Sequence, residues 1–389
     1  MKSTLFLAGL LFIKSTFGLD CVVQHNGQDD TSNIMNAFTQ CQSGGRVIFS
    51  QGLNYQLGDT IITPSLSNVE IMFEENSRLV YPFNENYLNT VPLPGAVQNV
   101  SSFFTIRGQN VKVNGGEIDG SGSNYWVMNP LPSNRPVMMT FMVDGLDVRN
   151  QRLVNSPNWN YYVFQSKNVV FDNIYIDEDS SQVPHNTDGW DLSNSQNIQI
   201  TNSYINNGDD CVSIKTNTSD ILIQNLYCNG SHGISVGSLG NIPDQPDYVT
   251  NLFVQNVTCD NCQNGARIKT WPNGALGAVK NVKFTDFRVT NSDNPVIIDQ
   301  CYQTKDLTQC AQNPGKISID GVTFLNITGG GSVKAKQKMV YVVCSAEAPC
   351  NDFHFEEIDL KPYNPSLAPQ YQCAYILNNA TAGLACNNY

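Results

Sequence analysis

A weak internal repeat limits the folds open to this chain more than any other feature of its sequence. Short β-branched runs are followed by Asn or Asp, a second short run, and a turn of Gly, Asn or Asp. The copies read NVKVNGGEIDG from Asn110, NVVFDNIYIDE from Asn168, NIQITNSYINNGDD from Asn197, DILIQNLYCNGSHG from Asp220, NLFVQNVTCDNCQNG from Asn251, NVKFTDFRVTNSDN from Asn281 and ISIDGVTFLNITGGG from Ile317. They recur at intervals of about 23 to 35 residues over most of this stretch, the range of stacked repeat architectures. Strands this short cannot bury themselves alone. Stacked into turns, they place alternate Val, Ile, Leu and Phe side chains inside and Asn at the bends. A β-propeller needs longer, more regular periods with hairpin turns, and Leu recurs at no fixed interval as a leucine-rich repeat requires. The expected fold is all-β, a single-stranded right-handed parallel β-helix. The open ends of such a stack would template aggregation. Asp30, Thr31 and Ser32 before Ile34, Ala37, Phe38 and Cys41 read as a capped amphipathic helix that plugs the N-terminal end.

The 389 residues carry 22 Lys+Arg against 34 Asp+Glu, a net charge of −12, which excludes nucleic acid as a partner on composition. At 41% hydrophobic and 14% charged residues, the chain has ample material for a core and no signature of disorder. Lys2, the apolar run Leu5 to Ile13 and the small residues Ser15, Thr16 and Gly18 read as a cleaved signal peptide, residues 1–18; the run is too short to span a bilayer. Its removal takes Lys2 and Lys14 and no acid, so 20 basic residues face 34 acidic ones at a net −14. No linker divides Leu19 to Tyr389, which is expected to form one catalytic domain, secreted, monomeric and free of the membrane.

All twelve cysteines follow the cleavage point, and an even number in a secreted chain implies disulfides. Sequence neighbours offer Cys21/Cys41, Cys211/Cys228, Cys301/Cys310, Cys344/Cys350 and Cys373/Cys386, leaving Cys259 and Cys262. That C-x-x-C pair has no second pair or His cluster to complete a zinc site. Sequons at Asn99, Asn217, Asn229, Asn256, Asn326 and Asn379 agree with export. The stretches Tyr81 to Gln98 and Asn124 to Pro136 read as long loops that wall a groove.

In a parallel stack, residues at one phase of successive turns line up along one face. Asn186, Thr187, Asp188 and Gly189 share such a phase with Gly208, Asp209, Asp210 and Cys211, with Ser231, His232 and Gly233, and with Arg267, Ile268, Lys269 and Thr270. Singly, each Asp beside a Gly suits an ordinary turn, and His232, Arg267 and Lys269 suit a solvated face. Together, three carboxylates, an imidazole and two cations converge. Adjacent carboxylates facing one cleft raise one pKa, and a carboxylic acid kept protonated beside ionised ones is what glycoside hydrolysis needs.

NTDG at 186–189, GDDC at 208–211, SHG at 231–233 and RIKT at 267–270 resemble, in order and spacing, the polygalacturonases. These are the family 28 glycoside hydrolases that cleave pectin on a pectin-lyase-like β-helix. The strings NTDGWD, NGDDCVS and CNGSHGISVGSLG are most similar to the fungal exo-acting members, while Thr270 before Trp271 departs toward the endo-acting ones. The resemblance implies inverting hydrolysis of α-1,4-linked galacturonate. Asp209 would be the general acid, with His232 beside it, and Asp188 and Asp210 would hold and deprotonate the attacking water. Arg267 and Lys269 would grip a galacturonate carboxylate, and Tyr302, in IIDQCY, would contact the sugar ring unless it is an ordinary buried Tyr. No spacing implies a metal or organic cofactor. Other readings are a calcium-dependent pectate lyase, an endo-polygalacturonase, a hydrolase of rhamnogalacturonan or xylogalacturonan, and a non-catalytic cell-wall binder. Exo action requires a loop that closes the groove, from Tyr81–Gln98, Asn124–Pro136 or Gly240–Tyr248.

Overall fold

The computed structural model describes residues 18–178, 181–304, 307–377 and 384–388; most of the expected signal segment and Asn379 lie outside them. Strands from Asp20–Val22 to Asn387–Asn388 form one parallel sheet wound into a β-helix. Ile61, Phe104, Met139, Tyr161, Trp190, Val212, Ile234, Ala266, Val296, Val340 and Tyr371 stand in register, one per turn. All but Tyr371 are fully buried. Because strand side chains alternate, the residues next in sequence form an outward file: Thr140, Tyr162, Asp191, Ser213, Ser235, Arg267 and Ile297. The interior is one apolar cluster running from Cys21 to Leu384.

The Asn and Asp of the repeat have a physical task at the bends. Asn68, Asn110, Asn168, Asn197, Asp220, Asn251 and Asn281 hold φ between 51° and 59°, left-handed backbone that these two residue types tolerate best after Gly. Their side chains then bond from turn to turn. Asn110 Nδ2 donates to Asn68 Oδ1 (3.0 Å), Asn197 to Asn168 (2.8 Å), Asn251 to Asp220 (2.7 Å) and Asn281 to Asn251 (2.8 Å). Of the sequons, Asn99, Asn217 and Asn256 are exposed and Asn229 and Asn326 half-buried.

The helix Thr31–Gln40 covers the N-terminal end and buries Ile34, Ala37 and Phe38. Its cap differs from expectation: Asp30 makes no side-chain cap bond, and Asp29 Oδ1 instead accepts the Thr31 N–H (2.9 Å). Asp30 is buried, and accepts N–H groups from Asn26 (3.0 Å) and Gln56 (3.1 Å). It pins the entering chain to the first turns. The twelve cysteines pair as Cys21–Cys41, Cys211–Cys228, Cys259–Cys262, Cys301–Cys310, Cys344–Cys350 and Cys373–Cys386. No helix among the described residues is long and apolar enough to cross a membrane.

Two of the long loops meet over the outward file. From the first, Leu93 and Ala96, joined by Val100 just beyond it, pack on Val137, Trp159, Tyr162 and Phe164, and the Val97 N–H donates to Tyr162 Oη (3.1 Å). The second reaches the first through Asn134 Nδ2, which donates to the Leu88 carbonyl, and reaches the sheet through Trp126 Nε1 on the Ser156 carbonyl (3.1 Å). They form one continuous wall.

Candidate active site

The register explains why the motifs converge. Asp188, Asp210 and His232 each stand two residues before the aligned Trp190, Val212 and Ile234, while Arg267 and Lys269 flank Ile268 on the next turn. Asn207 stitches the first two turns together, its Nδ2 donating to the Thr187 carbonyl (2.8 Å) and the Asp210 carbonyl (3.0 Å). The third turn hangs from Asp209, whose carbonyl accepts the His232 N–H (2.8 Å) and Ser231 Oγ (2.8 Å). Gly233 is required there: at φ +87°, a Cβ would sit 2.2 Å from the carbonyl oxygens of Asn264 and Gly265.

Asp209 and Asp210 both face the site, yet each has its own partners. Asp209 Oδ1 lies 2.9 Å from His232 Nδ1 and accepts the Asp210 N–H (2.8 Å), and Oδ2 accepts Asn186 Nδ2 (3.3 Å). Asp210 is fully buried; its Oδ2 takes Lys269 Nζ (2.7 Å), its Oδ1 takes Ser235 Oγ (2.6 Å), and Arg267 Nη1 stands 3.8 Å away. Tyr302 is half-buried, with the Arg267 guanidinium and the Lys269 ammonium each 5.4 Å from its ring centre. All seven residues singled out in the sequence therefore lie together on adjoining turns of one face.

The electrostatics differ from expectation in one respect. Burial, followed by the charges of Asp191, Asp209 and Asp210 and against that of Lys215, pushes the Asp188 carboxyl well above the usual range. Burial acts on Asp209 in the same sense but is outweighed by the hydrogen bond and charge of His232, the charge of Lys269 and the Asp210 N–H, so Asp209 lies below its usual range. The carboxyl whose surroundings, burial first and then its acidic neighbours, favour the protonated form is thus Asp188. Asp209 instead favours its anion, with His232 Nδ1 2.9 Å from its Oδ1.

Two further residues complete the charge cluster. Asp191, fully buried three residues after Asp188 on the same turn and on the outward file, pairs with Lys215 Nζ at 2.8 Å. Burial raises Asp191 against the pull of Lys215, and burial of Lys215 is overcome by Asp191, Asp188 and Asp210, which raise it. Asp191 was legible in principle, since Trp190 and Leu192 point inward and alternation turns Asp191 out. Among the described residues, Asp209, Asp210 and His232 form the one set of three or more acidic, imidazole or thiol ligand atoms lying within 4.8 Å of one another. Calcium takes roughly six to eight oxygen ligands; Lys269 already occupies Asp210 and His232 brings nitrogen, so this set suits the ion poorly.

Comparison with known proteins agrees with this architecture. The model of "Glycosyl hydrolases family 28" matches residues 41–386. An exopolygalacturonase of Cochliobolus carbonum is 37% identical over 366 residues, covering 90% of this chain and 81% of that protein. Exopolygalacturonase X-1 of Emericella nidulans is 35% identical, covering 90% and 84%. Among solved structures, the endo-xylogalacturonan hydrolase of Aspergillus tubingensis superposes with a TM-score of 0.83 at 29% identity, covering 95% of this chain and 99% of that one. Endopolygalacturonase I of Stereum purpureum, complexed with two galacturonates, shares the fold at a TM-score of 0.62 and 19% identity, covering 92% and 100%. A β-helix with carboxylates, imidazole and cations on four successive turns, matched over nearly its whole length, belongs to glycoside hydrolase family 28.

Proposed function

We propose that the chain is a secreted, monomeric exo-polygalacturonase, which removes galacturonic acid from the non-reducing end of α-1,4-linked polygalacturonate with inversion. The observation that carries exo action is the buried end of the outward file. Tyr162 and Phe164 are aligned one turn before Asp191 and Ser193, and both are fully buried beneath the Tyr81–Gln98 loop. On the other side, Arg267, Ile297 and Tyr302 remain partly exposed. Adjacent strands lie about 4.8 Å apart, so the wall leaves little more than one sugar's length before the carboxylates.

In this reading Asp209 protonates the glycosidic oxygen, with His232 beside it as its hydrogen-bond partner. Asp188 holds the water, and Asp210, ion-paired with Lys269, takes its proton. Arg267 and Lys269 bind the carboxylate of the neighbouring sugar. His232 first and then the Lys269 charge hold Asp209 low; an anion placed there offsets the Lys269 part, so binding itself raises the proton affinity of Asp209.

With polygalacturonic acid at about pH 5, near the carboxylate range, galacturonate monomer should accumulate from the start with viscosity nearly unchanged. Early viscosity collapse with mixed oligomers would overturn exo action. Cleavage of xylogalacturonan alone would favour the second reading, which rests on the Aspergillus tubingensis structure. An activity maximum at about pH 8 or above would contradict a carboxyl-borne acid. N-terminal sequencing of the exported protein should begin near Leu19.

Lys269 has two tasks, so Lys269→Ala should act on both kinetic constants. Loss of the carboxylate contact raises KM, and loss of the 2.7 Å partner of buried Asp210 lowers kcat by about tenfold or more. A pure KM effect would show that Asp210 does not depend on it.

A further inference from the structure

Arg135 belongs to the wall loop and to no motif, yet it is 2% exposed. Its guanidinium is used on neutral oxygens alone: Nε donates to the Pro132 carbonyl (2.8 Å), Nη1 to the Pro157 (2.7 Å) and His185 (2.8 Å) carbonyls, and Nη2 to Asn186 Oδ1 (2.8 Å). A buried cation without a carboxylate in contact is costly. Burial pushes its pKa down to about 10, with the charge of Asp209 opposing. The link to that charge is direct, because Asn186 receives Arg135 on its Oδ1 and donates its Nδ2 to Asp209 Oδ2 at 3.3 Å. With Oδ1 fixed by the guanidinium, the amide has one orientation, donor toward Asp209. Asn186 also holds φ 56°, and the Arg135 bond to the preceding His185 carbonyl secures that bend.

We propose that Arg135 is a positioning residue for the proton donor: by fixing the orientation of Asn186, it aims Asp209 Oδ2 and tethers the groove wall to the catalytic carboxyl. The inference rests on the hydrolase reading above. The groups facing Asp209 are His232 from the next turn, Lys269 from the strand beyond it, Asp210 alongside, Asp188 and Asp191 from the preceding turn, and Arg135 from the wall. Among them Arg135 reaches Oδ2 through Asn186 and favours its anion.

Arg135→Gln should therefore lower kcat on polygalacturonate by about 10- to 100-fold, with KM changed less than threefold or so. It should also move the alkaline limb of the kcat/KM profile upward by about half a pH unit to one unit. Arg135→Lys, which keeps the charge but not the fork, should lose nearly as much kcat and shift the limb less. Asn186→Gly keeps the left-handed bend and the three backbone contacts of Arg135 while removing the link. It should show the same upward shift even where the Arg135 variants do not fold. A limb that stays in place in Asn186→Gly, or a kcat unchanged in folded Arg135→Gln, overturns the proposal. An unmodified protein that releases nothing from polygalacturonate overturns the hydrolase reading instead.

Discussion

Asp209→Asn should lower kcat on polygalacturonate by about 10²- to 10⁴-fold, the usual contribution of a positioned proton donor. The loss should depend on the leaving group. An aryl galacturonide whose phenolate departs without a proton should retain most of its turnover, whereas Asp210→Asn, which removes the proposed base, should slow both substrates alike. Equal losses on both substrates for Asp209→Asn would move the acid role elsewhere, with Asp188, whose carboxyl burial pushes up, the next candidate. Stability should respond too. The Asp209 carboxyl lies below its unfolded range, so it contributes stability above the unfolded pKa of about 3.9 and loses it as pH falls through the folded value. The variant should melt below the parent at pH 7, with a gap that narrows under about pH 4.

Lys215→Met should be the most destabilising single change in the cleft. Lys215 and Asp191 are 7% and 0% exposed, paired at 2.8 Å, and Asp191 Oδ2 has no hydrogen-bond partner. Met preserves the packing on Trp159, whose ring lies 5.1 Å from the ammonium, while Asp191 is left as a buried, unpaired charge. Breaking such a pair costs about 3 to 5 kcal/mol. The pH dependence identifies the cause. A buried carboxyl with a raised folded pKa brings no penalty below its unfolded value of about 3.9, and a growing one as pH rises toward the folded value. Urea melts should thus show a small loss near pH 4 and the full loss near pH 8. Lys215→Met combined with Asp191→Asn should recover most of the difference. A loss equal at both pH values would indicate packing rather than charge.

The fold and much of the site could be read from the sequence because a β-helix converts position in the chain into position in space. Asn168, Asn197, Asn251 and Asn281 mark the bends whose side chains stack. The same phase rule sets Asp188, Asp210 and His232 on successive turns. Arg135 escaped notice because its four partners lie 3, 22, 50 and 51 residues away with no period. The direction in which Asp209 titrates was illegible for another reason. It depends on a 2.9 Å contact to His232, a distance that spacing along the chain does not specify. The Asp30 cap failed likewise, since a buried backbone donor from Gln56 competes for that carboxylate.

The one-turn register has a kinetic consequence. Each turn is bonded to the turns before and after it, so unfolding resembles unzipping from an end rather than collapse of a shared centre. The helix Thr31–Gln40 with Cys21–Cys41 guards one end, and Cys373–Cys386 ties the last turns at the other. Asp188 to Lys269 occupy the middle of the stack, where fraying from either terminus arrives last. Turns can therefore be lost at the ends, by proteolysis or partial melting, while the carboxylate cluster keeps its spacing. Lifetime is then set by the end caps and turnover by the middle.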